Sequence, residues 1–226
     1  GSIGSGQSKH QFICVDKCPY YIIKLYYNPI TIKLMIKVEN ISKRFGDEII
    51  LKNISTTFDR GKTNLVIGRS GSGKTVLLKC LIGLFKPEEG TIYFENNSIQ
   101  DMDNEQQRIL REKTGMLFQG GALFDSMNIE ENVMFPLRMF GNKKRDEMLE
   151  RVNEVLKRVD LENVNKKFPA EISGGMKKRV SIARAIVNKP KYLFCDEPNS
   201  GLDPKTATLI DNLIQDITKE NNITTI

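Results

Sequence analysis

GRSGSGKT, at residues 68–75, fits the G-x-x-x-x-G-K-[ST] phosphate-binding pattern at every fixed position. An apolar run at residues 65–67 precedes it and a mostly apolar run at residues 76–84 follows it, which predicts a buried strand, the loop and then a helix. The residues expected to bind phosphate are Gly68, Arg69, Ser70, Gly71, Ser72, Gly73, Lys74 and Thr75.

The chemistry of this loop depends on its glycines, its lysine and its last hydroxyl. Glycines let the backbone bend closely around a phosphate, and the helix N-terminus receives the negative charge. Lys74 is expected to reach the β- and γ-phosphates of a nucleotide, and the Thr75 hydroxyl to hold magnesium. A surface turn rich in glycine and serine is the alternative interpretation.

A second acidic site lies in YLFCDE, at residues 192–197. Four apolar or aromatic residues predict a strand buried on both faces of a parallel sheet, and the two acids follow at the edge where such sheets bind ligands. Asp196 is expected to organise magnesium, and Glu197 to polarise the attacking water as a general base. The alternative is a strand with a solvated acidic end.

ISGGM, at residues 172–176, is the third motif. Ser173 can cap a helix that starts at about Gly174, and Gly174 and Gly175 allow close backbone approach, so the helix end offers free amides to an anion. With the two motifs above, this stretch resembles the signature of nucleotide-binding subunits of ATP-binding cassette (ABC) transporters. The resemblance covers roughly residues 36–226.

Further residues match the same family in the expected order. Gln119 resembles the Q-loop glutamine, which senses the γ-phosphate and contributes to the metal site. Phe45 resembles the aromatic A-loop residue that stacks on adenine, and residues 200–203 (SGLD) resemble the D-loop. The resemblance implies catalytic roles for Glu197, Lys74 and Gln119, and a metal site formed by Thr75, Gln119 and Asp196.

The resemblance also implies a fold and partners. We expect an α/β P-loop NTPase with a RecA-like parallel-sheet core, a small antiparallel β-subdomain and an inserted helical subdomain at about residues 120–185. ATP and Mg²⁺ are the implied cofactors. Two copies are expected to pair head to tail, with Ser173, Gly174 and Gly175 of one completing the phosphate site of the other. The pair would dock on a membrane permease, peripherally, at the cytoplasmic face of the inner (plasma) membrane.

A finer resemblance concerns the cargo. Met176 replaces the usual glutamine of the signature, and residues 115–127 are similar to the lipid-asymmetry (Mla) ATPases and their Mce-associated relatives. That subfamily works with an Mce-domain substrate-binding protein and moves phospholipid or other hydrophobic molecules. The alternative is a tolerated methionine in an ordinary importer or exporter. Residues 122–137 are unusually apolar, which fits either a groove for the permease or internal packing.

The two ends of the chain differ from the family pattern. Residues 1–34 match nothing in it, so we interpret them as a leader that is non-native or disordered, before an ABC ATPase domain at residues 35–226. The family's switch histidine is expected about thirty residues beyond Glu197, but the single histidine is His10. We therefore expect truncation before that residue, and slow ATP hydrolysis by the chain as given.

Composition limits the other possibilities. No stretch of 18 apolar residues offers a membrane span. The net charge of +6 arises partly from basic clusters at residues 143–145, 166–167 and 177–179, which suit solvated faces or attraction to anionic lipid.

Cys80 and Cys195 are expected to be reduced core residues. Cys14 and Cys18, with three residues between them, and His10 give only three candidate ligands, which is poor evidence for a metal site.

Two other classes of protein share some of these motifs. A soluble ABC ATPase of DNA repair or translation would clamp nucleic acid or a ribosome, but it usually has a coiled-coil insertion or two cassettes. Lys74 and Asp196 lie too close in the sequence for such an arm, and no nucleic-acid partner is expected. A P-loop kinase or GTPase would lack the signature and the D-loop.

Overall fold

The computed structural model describes residues 11–14, 34–141 and 143–226. The strands are β1 (Gln11–Cys14), β2 (Leu34–Phe45), β3 (Glu48–Asp59), β4 (Asn64–Ile67), β5 (Glu89–Phe94), β6 (Asn97–Ser98), β7 (Thr114–Leu117), β8 (Tyr192–Cys195) and β9 (Thr224–Thr225). The helices are α1 (Lys74–Leu81), α2 (Asn104–Glu112), α3 (Ile129–Phe140), α4 (Arg145–Arg158), α5 (Gly174–Ile186) and α6 (Pro204–Glu220). A short 3₁₀ helix spans Pro169–Glu171.

Parallel and antiparallel strands are segregated. Strands β3, β2, β5 and β6 form an antiparallel sheet in that order, which is the predicted β-subdomain. Strands β7, β8 and β9 pair in parallel, and a bridge between Thr63 and Thr225 continues that sheet towards β4. Strand β1 pairs in parallel with β4. The α/β class with both kinds of sheet is therefore as predicted.

Strand β8 lies between two hydrophobic cores. Leu193 faces a core built largely by the helices, whereas Tyr192 and Phe194 face a core built by the antiparallel sheet and α1. All three side chains are buried, since alternate residues of a strand point to opposite faces. The prediction of a strand buried on both sides is confirmed. This strand carries Asp196 and Glu197 at its carboxyl end.

Helices α3, α4 and α5 form the insertion between β7 and β8, which matches the predicted helical subdomain. Asn128 and Glu131 make a capping box that starts α3 after the connecting loop. Val152, Val155 and Val159, which recur at helical spacing, are all buried in this subdomain. The buried apolar residues of α3 are Ile129, Val133, Met134 and Leu137, so internal packing explains part of the apolar stretch at residues 122–137.

Two expectations about burial were wrong. Leu65 and Ile67 of β4 are 49% and 45% exposed, because they share one strand face that the described residues leave uncovered. The basic cluster at residues 177–179 is not a solvated face, since Lys178 is buried and Arg179 donates to the carbonyl oxygen of Val159. Burial lowers the pKa of Lys178 from its ordinary value.

His10 and Cys18 lie outside the described residues. Within the described ranges, no helix combines the length and the apolar character needed to cross a bilayer. Cys80 and Cys195 are free thiols, as expected.

Candidate nucleotide-binding site

The phosphate-binding loop joins β4 to α1, as its sequence context predicts. Gly73 is the N-cap residue of α1 in a left-handed conformation (φ +97°), and a Cβ atom there would lie only 3.0 Å from side-chain carbons of Ile50 and Leu51. Glycine is therefore required by both conformation and space. The amides at the start of α1 have no side-chain cap, so they are available to an anion.

Lys74 reaches back across this loop. Its ammonium group donates to the carbonyl oxygens of Gly68 and Arg69, each at 3.0 Å. Gly71 has a left-handed backbone (φ +76°), and a Cβ atom there would meet nothing within 4 Å, so glycine serves the backbone conformation at this position. Ser72 carries a buried hydroxyl oxygen without a hydrogen-bond partner among the described residues. These features fit a loop that encloses a phosphate group.

The loop and the acidic strand meet at Thr75 and Asp196. The Thr75 hydroxyl donates to Asp196 Oδ1 at 2.9 Å, although the two residues are 121 positions apart. The backbone amide of Asp196 donates to the carbonyl oxygen of Leu117, which fixes the end of β8 beside the end of β7. A hydroxyl and one carboxylate are hard oxygen donors of the kind Mg²⁺ takes alongside phosphate oxygens.

This donor set suits a metal that is shared with a nucleotide. Among the described side chains, no group of three or more His, Cys, Asp or Glu residues could hold a metal ion by itself. Mg²⁺ commonly uses one or two protein carboxylates together with substrate phosphates, so this finding agrees with the donor set. Thr75 and Asp196 would hold the ion, which when bound neutralises charge on the phosphates.

Gln119 and Glu197 form the second predicted pair. The Gln119 amide nitrogen donates to Glu197 Oε2 at 3.0 Å, and both residues are exposed at the carboxyl ends of the parallel strands. Glu197 has a left-handed backbone (φ +46°), which is uncommon for a residue with a side chain and recurs at functional sites. The pair places a carboxylate acceptor one residue beyond Asp196, where a water molecule can reach it.

Phe45 stands at the end of β2 and is 46% exposed. Its ring packs edge to face against Phe85 at a centroid distance of 5.3 Å, and the Lys43 ammonium lies 5.1 Å from its centroid. An exposed ring held by a second ring is a suitable platform for a purine base. The sequence prediction named Phe45 but missed Phe85, which lies close only in the folded chain, and Lys43, which lies two positions earlier in the same strand.

The signature residues begin α5, as predicted. The Ser173 hydroxyl accepts a hydrogen bond from the Met176 amide at 3.3 Å, and α5 starts at Gly174. A Cβ atom on Gly175 would lie 3.2 Å from the Thr206 methyl group in the first turn of α6. In the described part of the chain, no hydrogen bond connects residues 173–175 with the loop at 68–75.

The D-loop leads directly into α6. Asp203 caps this helix by accepting a bond from the Thr206 amide at 3.0 Å, and hydrogen bonds from Thr206 hold the pKa of the Asp203 carboxyl below its ordinary value. The signature helix and the D-loop therefore meet at Thr206. Thr206 lies against Gly175 and bonds to Asp203.

Comparison with known proteins supports the assignment of this site to nucleotide binding. Residues 51–200 match the family model described as ABC transporter. The chain belongs to the ABC transporter family. The methionine import ATP-binding protein MetN of Clostridium tetani is 45% identical over 192 residues, which are 85% of this chain and 60% of MetN. A probable ribonucleotide transport ATP-binding protein, mkl of Mycobacterium tuberculosis, is 43% identical and aligns with 84% of this chain and 53% of its own length.

Solved ABC structures share the fold of this ABC transporter family member. A dimeric post-hydrolysis state of the ATP-binding cassette MJ0796 bound to ADP and Pi has a TM-score of 0.75 at 35% identity, covering 84% of this chain and 85% of that one. The protein cbiO1 of Clostridium perfringens, part of the ABC transporter complex cbiONQ, has a TM-score of 0.77 at 34% identity, covering 86% and 77%. The predicted P-loop NTPase fold is confirmed. The chain spans little more than half the length of the curated relatives above.

Proposed function

We propose that this chain is an ATP-binding and ATP-hydrolysing subunit that drives a membrane permease. The observation that carries this proposal is the contact between Thr75 and Asp196, because it brings the phosphate loop and the acidic strand to one point. Gln119 and Glu197 meet beside it. A surface turn or a solvated strand end would give no reason for these four side chains to converge.

Each residue has a separate part in the proposed reaction. Lys74 and the amides at the start of α1 bind the phosphates of ATP, and Phe45 stacks on the adenine. Glu197 accepts a proton from the attacking water, and Gln119 orients that water and reports the presence of the γ-phosphate. Residues 68–73 enclose the β-phosphate, and Thr75, Gln119 and Asp196 form the magnesium site.

Two copies of the chain are needed for a complete site in this proposal. Ser173, Gly174 and Gly175 begin a helix whose free amides suit a phosphate, yet they make no bond to the phosphate loop of the same chain among the described residues. A second copy, placed head to tail, would supply its loop to these amides. The dimeric state of the relative bound to ADP and Pi supports the pairing of two copies.

A permease is the proposed partner of the dimer. Phe124 is 40% exposed and its ring lies 4.9 Å from the Phe135 ring, while Phe118 and Leu84 are also exposed. Phe118 and Phe124 lie close to Gln119 in the sequence, and exposed apolar side chains suit contact with a partner better than contact with water. The membership of cbiO1 in a transporter complex is consistent with this role. The ABC subunit would then lie at the cytoplasmic face of the membrane.

Two cargo classes follow from different observations. Phospholipid or other hydrophobic cargo, with an Mce-domain partner, rests on Met176 and residues 115–127. Met176 packs against the helical core, where an apolar side chain is favoured, so packing alone also accounts for it. Methionine import is the second candidate, because a relative of that name is 45% identical. Stimulation of ATPase activity by methionine or by phospholipid, in a complex with the cognate permease, distinguishes them.

The ATPase proposal has a direct test. Lys74→Ala should abolish MgATP binding in titration calorimetry, whereas Glu197→Gln should bind MgATP normally and lose hydrolysis. Lys52→Ala changes an exposed lysine of β3 and is the matched control, expected to behave as the wild type. Normal MgATP binding by Lys74→Ala, or undiminished turnover by Glu197→Gln, would refute these roles.

A further inference from the structure

Three consecutive residues after Gln119 have a left-handed backbone. The φ angles of Gly120, Gly121 and Ala122 are +80°, +84° and +43°. Glycine adopts this conformation freely, but alanine does so rarely, because its Cβ atom clashes with the backbone. Surrounding contacts must therefore hold this turn in place.

The contacts come from α5. The two terminal nitrogens of Arg184 donate to the carbonyl oxygens of Gly121 and Ala122, each at 2.8 Å. One turn earlier on the same helix, the Ser181 hydroxyl shares its proton between the carbonyl oxygens of Gly121 at 3.0 Å and Lys177 at 2.9 Å. A Cβ atom on Gly121 would lie 2.8 Å from that hydroxyl oxygen, so glycine is needed here for close approach as well.

Arg184 is unusual because it is charged and only 9% exposed. Burial lowers the pKa of its guanidinium from the ordinary value. In the described part of the chain it has no carboxylate partner, and its donors go to backbone carbonyls instead. A buried charge is costly, so a shape-complementary set of acceptors is needed to retain it.

The far side of the turn is also anchored. The Arg184 guanidinium carbon lies 5.8 Å from the centroid of the Phe124 ring, and the side chain of Asn132 on α3 both accepts from the Phe124 amide and donates to its carbonyl oxygen. The Asn132 side chain is completely buried. Phe124 belongs to the exposed apolar surface, so this segment links that surface with Gln119.

We propose that Arg184 is a positioning residue that holds the turn at residues 120–122, and through it the Gln119 amide, in register with Glu197. Ser173, the signature serine, caps helix α5, and Arg184 lies near the end of the same helix. One rigid element therefore connects the turn after Gln119 with the surface proposed to face a second copy. A displacement of α5 then moves Gln119 relative to Glu197. The inference rests on the proposed function, because Gln119 has its role only in nucleotide chemistry.

This geometry requires an arginine, because a positive charge alone is not sufficient. Its planar fork donates two bonds in fixed directions, whereas a lysine ammonium cannot match two adjacent carbonyl oxygens in the same way. Arg151 offers a matched control, because its guanidinium also donates to two backbone carbonyls, those of Ile186 and Val187 at the other end of α5. Arg151→Lys should loosen only the C-terminal end of α5, because its bonds lie there, and leave the bonds from Arg184 to the turn in place.

The first measurement is hydrogen exchange in the full chain without nucleotide. Arg184→Lys should accelerate exchange of the peptide covering residues 119–127 by about tenfold, while Arg151→Lys leaves that peptide unchanged. Ser181→Ala, which removes one bond to the Gly121 carbonyl, should accelerate the same peptide less, and it carries the test if Arg184→Lys does not fold. Unchanged exchange, or equal acceleration by both arginine variants, would overturn the positioning role.

The second measurement asks whether Arg184 acts through Gln119. The MgATP dissociation constant is measured for the wild type, Arg184→Lys, Gln119→Ala and the double variant. Arg184→Lys should weaken binding severalfold in the wild-type background and have no effect when Gln119 is already alanine. An effect of equal size in both backgrounds, or no effect in either, would overturn the coupling. A wild-type chain that fails to bind MgATP would instead refute the proposed function, while the exchange result stands.

Discussion

The Thr75 hydroxyl and the Asp196 carboxylate are joined by a hydrogen bond of 2.9 Å. Thr75 lies in the first turn of α1, and Asp196 follows the buried strand β8. Residues of α1 and of β8 pack in the same hydrophobic core, so the bond forms only when the helix, the loop and the sheet are all in place. In the proposed function, this bond holds the two oxygen groups in place for one cation.

Thr75→Val tests this arrangement. The variant keeps the shape of the side chain but removes the hydroxyl, so MgATP affinity should fall about tenfold, the loss expected for one hydrogen-bonding or coordinating group worth roughly 1.4 kcal/mol. Affinity for ATP measured in EDTA should change much less. Titration calorimetry with and without Mg²⁺ measures both.

The control for this variant is Thr208→Val. Thr208 is an exposed threonine of α6 whose hydroxyl donates to the Pro204 carbonyl oxygen, away from the site. Its MgATP affinity should equal that of the wild type. Equal losses of affinity with and without Mg²⁺ in Thr75→Val would contradict a role for the hydroxyl at the metal.

Phe45→Ala tests the adenine platform. Loss of one base–aromatic stack costs about 1–3 kcal/mol, so ATP affinity should fall roughly 5- to 150-fold. Affinity for tripolyphosphate, which lacks a base, should be unchanged. The comparison of the two ligands by calorimetry separates a base contact from general damage to the phosphate loop.

Phe168→Ala is the matched control for the aromatic variant. Phe168 is 43% exposed, close to the 46% exposure of Phe45, but it precedes the 3₁₀ helix at Pro169–Glu171. Its ATP affinity should not change. A loss of tripolyphosphate binding in Phe45→Ala would show that the ring supports the loop rather than the base.

Phe45 and Gln119 illustrate what sequence can and cannot predict. Resemblance to the family named both residues, an apolar run predicted the strand at 192–195, and a capping serine predicted the helix that starts at Gly174. Phe85, which packs against Phe45, and Arg184, which bonds to the turn after Gln119, belong to no local pattern. Phe85 follows α1 and Arg184 occupies a helical position, and only the packing of distant elements brings them to the site.

Burial was the less predictable property. Leu65 and Ile67 read as core residues because they are apolar, but exposure depends on whether another element covers their face of β4. Lys178 read as a surface charge because it lies among basic residues, but its position on α5 turns it inward. Composition describes one residue at a time, whereas burial is decided by the neighbours that the fold supplies.

Cys80 provides a test of the core around α1. Burial raises the pKa of its thiol from 9.0 to about 11, so at pH 8 the folded chain should contain about 100-fold less Cys80 thiolate than the unfolded chain. Alkylation by iodoacetamide, followed by peptide mapping, should be slower by a similar factor than in urea. The contribution of this thiol to stability is present below pH 9 and is lost as the pH rises towards 11. Rapid labelling of Cys80 at pH 8 under native conditions would contradict its burial.

The claim that one nucleotide site is shared by two copies can be tested by mixing variants. Two double variants are made in a Glu197→Gln background, which should retain bound ATP. One adds Lys74→Ala, which removes the lysine of the phosphate loop, and the other adds Ser173→Arg, which blocks the signature. Each double variant alone should stay monomeric with MgATP in sedimentation velocity. A 1:1 mixture creates heterodimers with one intact site and one doubly defective site. We predict that the mixture forms MgATP-dependent dimers; a mixture that stays monomeric, or a single variant that dimerises as well as the Glu197→Gln chain, would contradict the shared site.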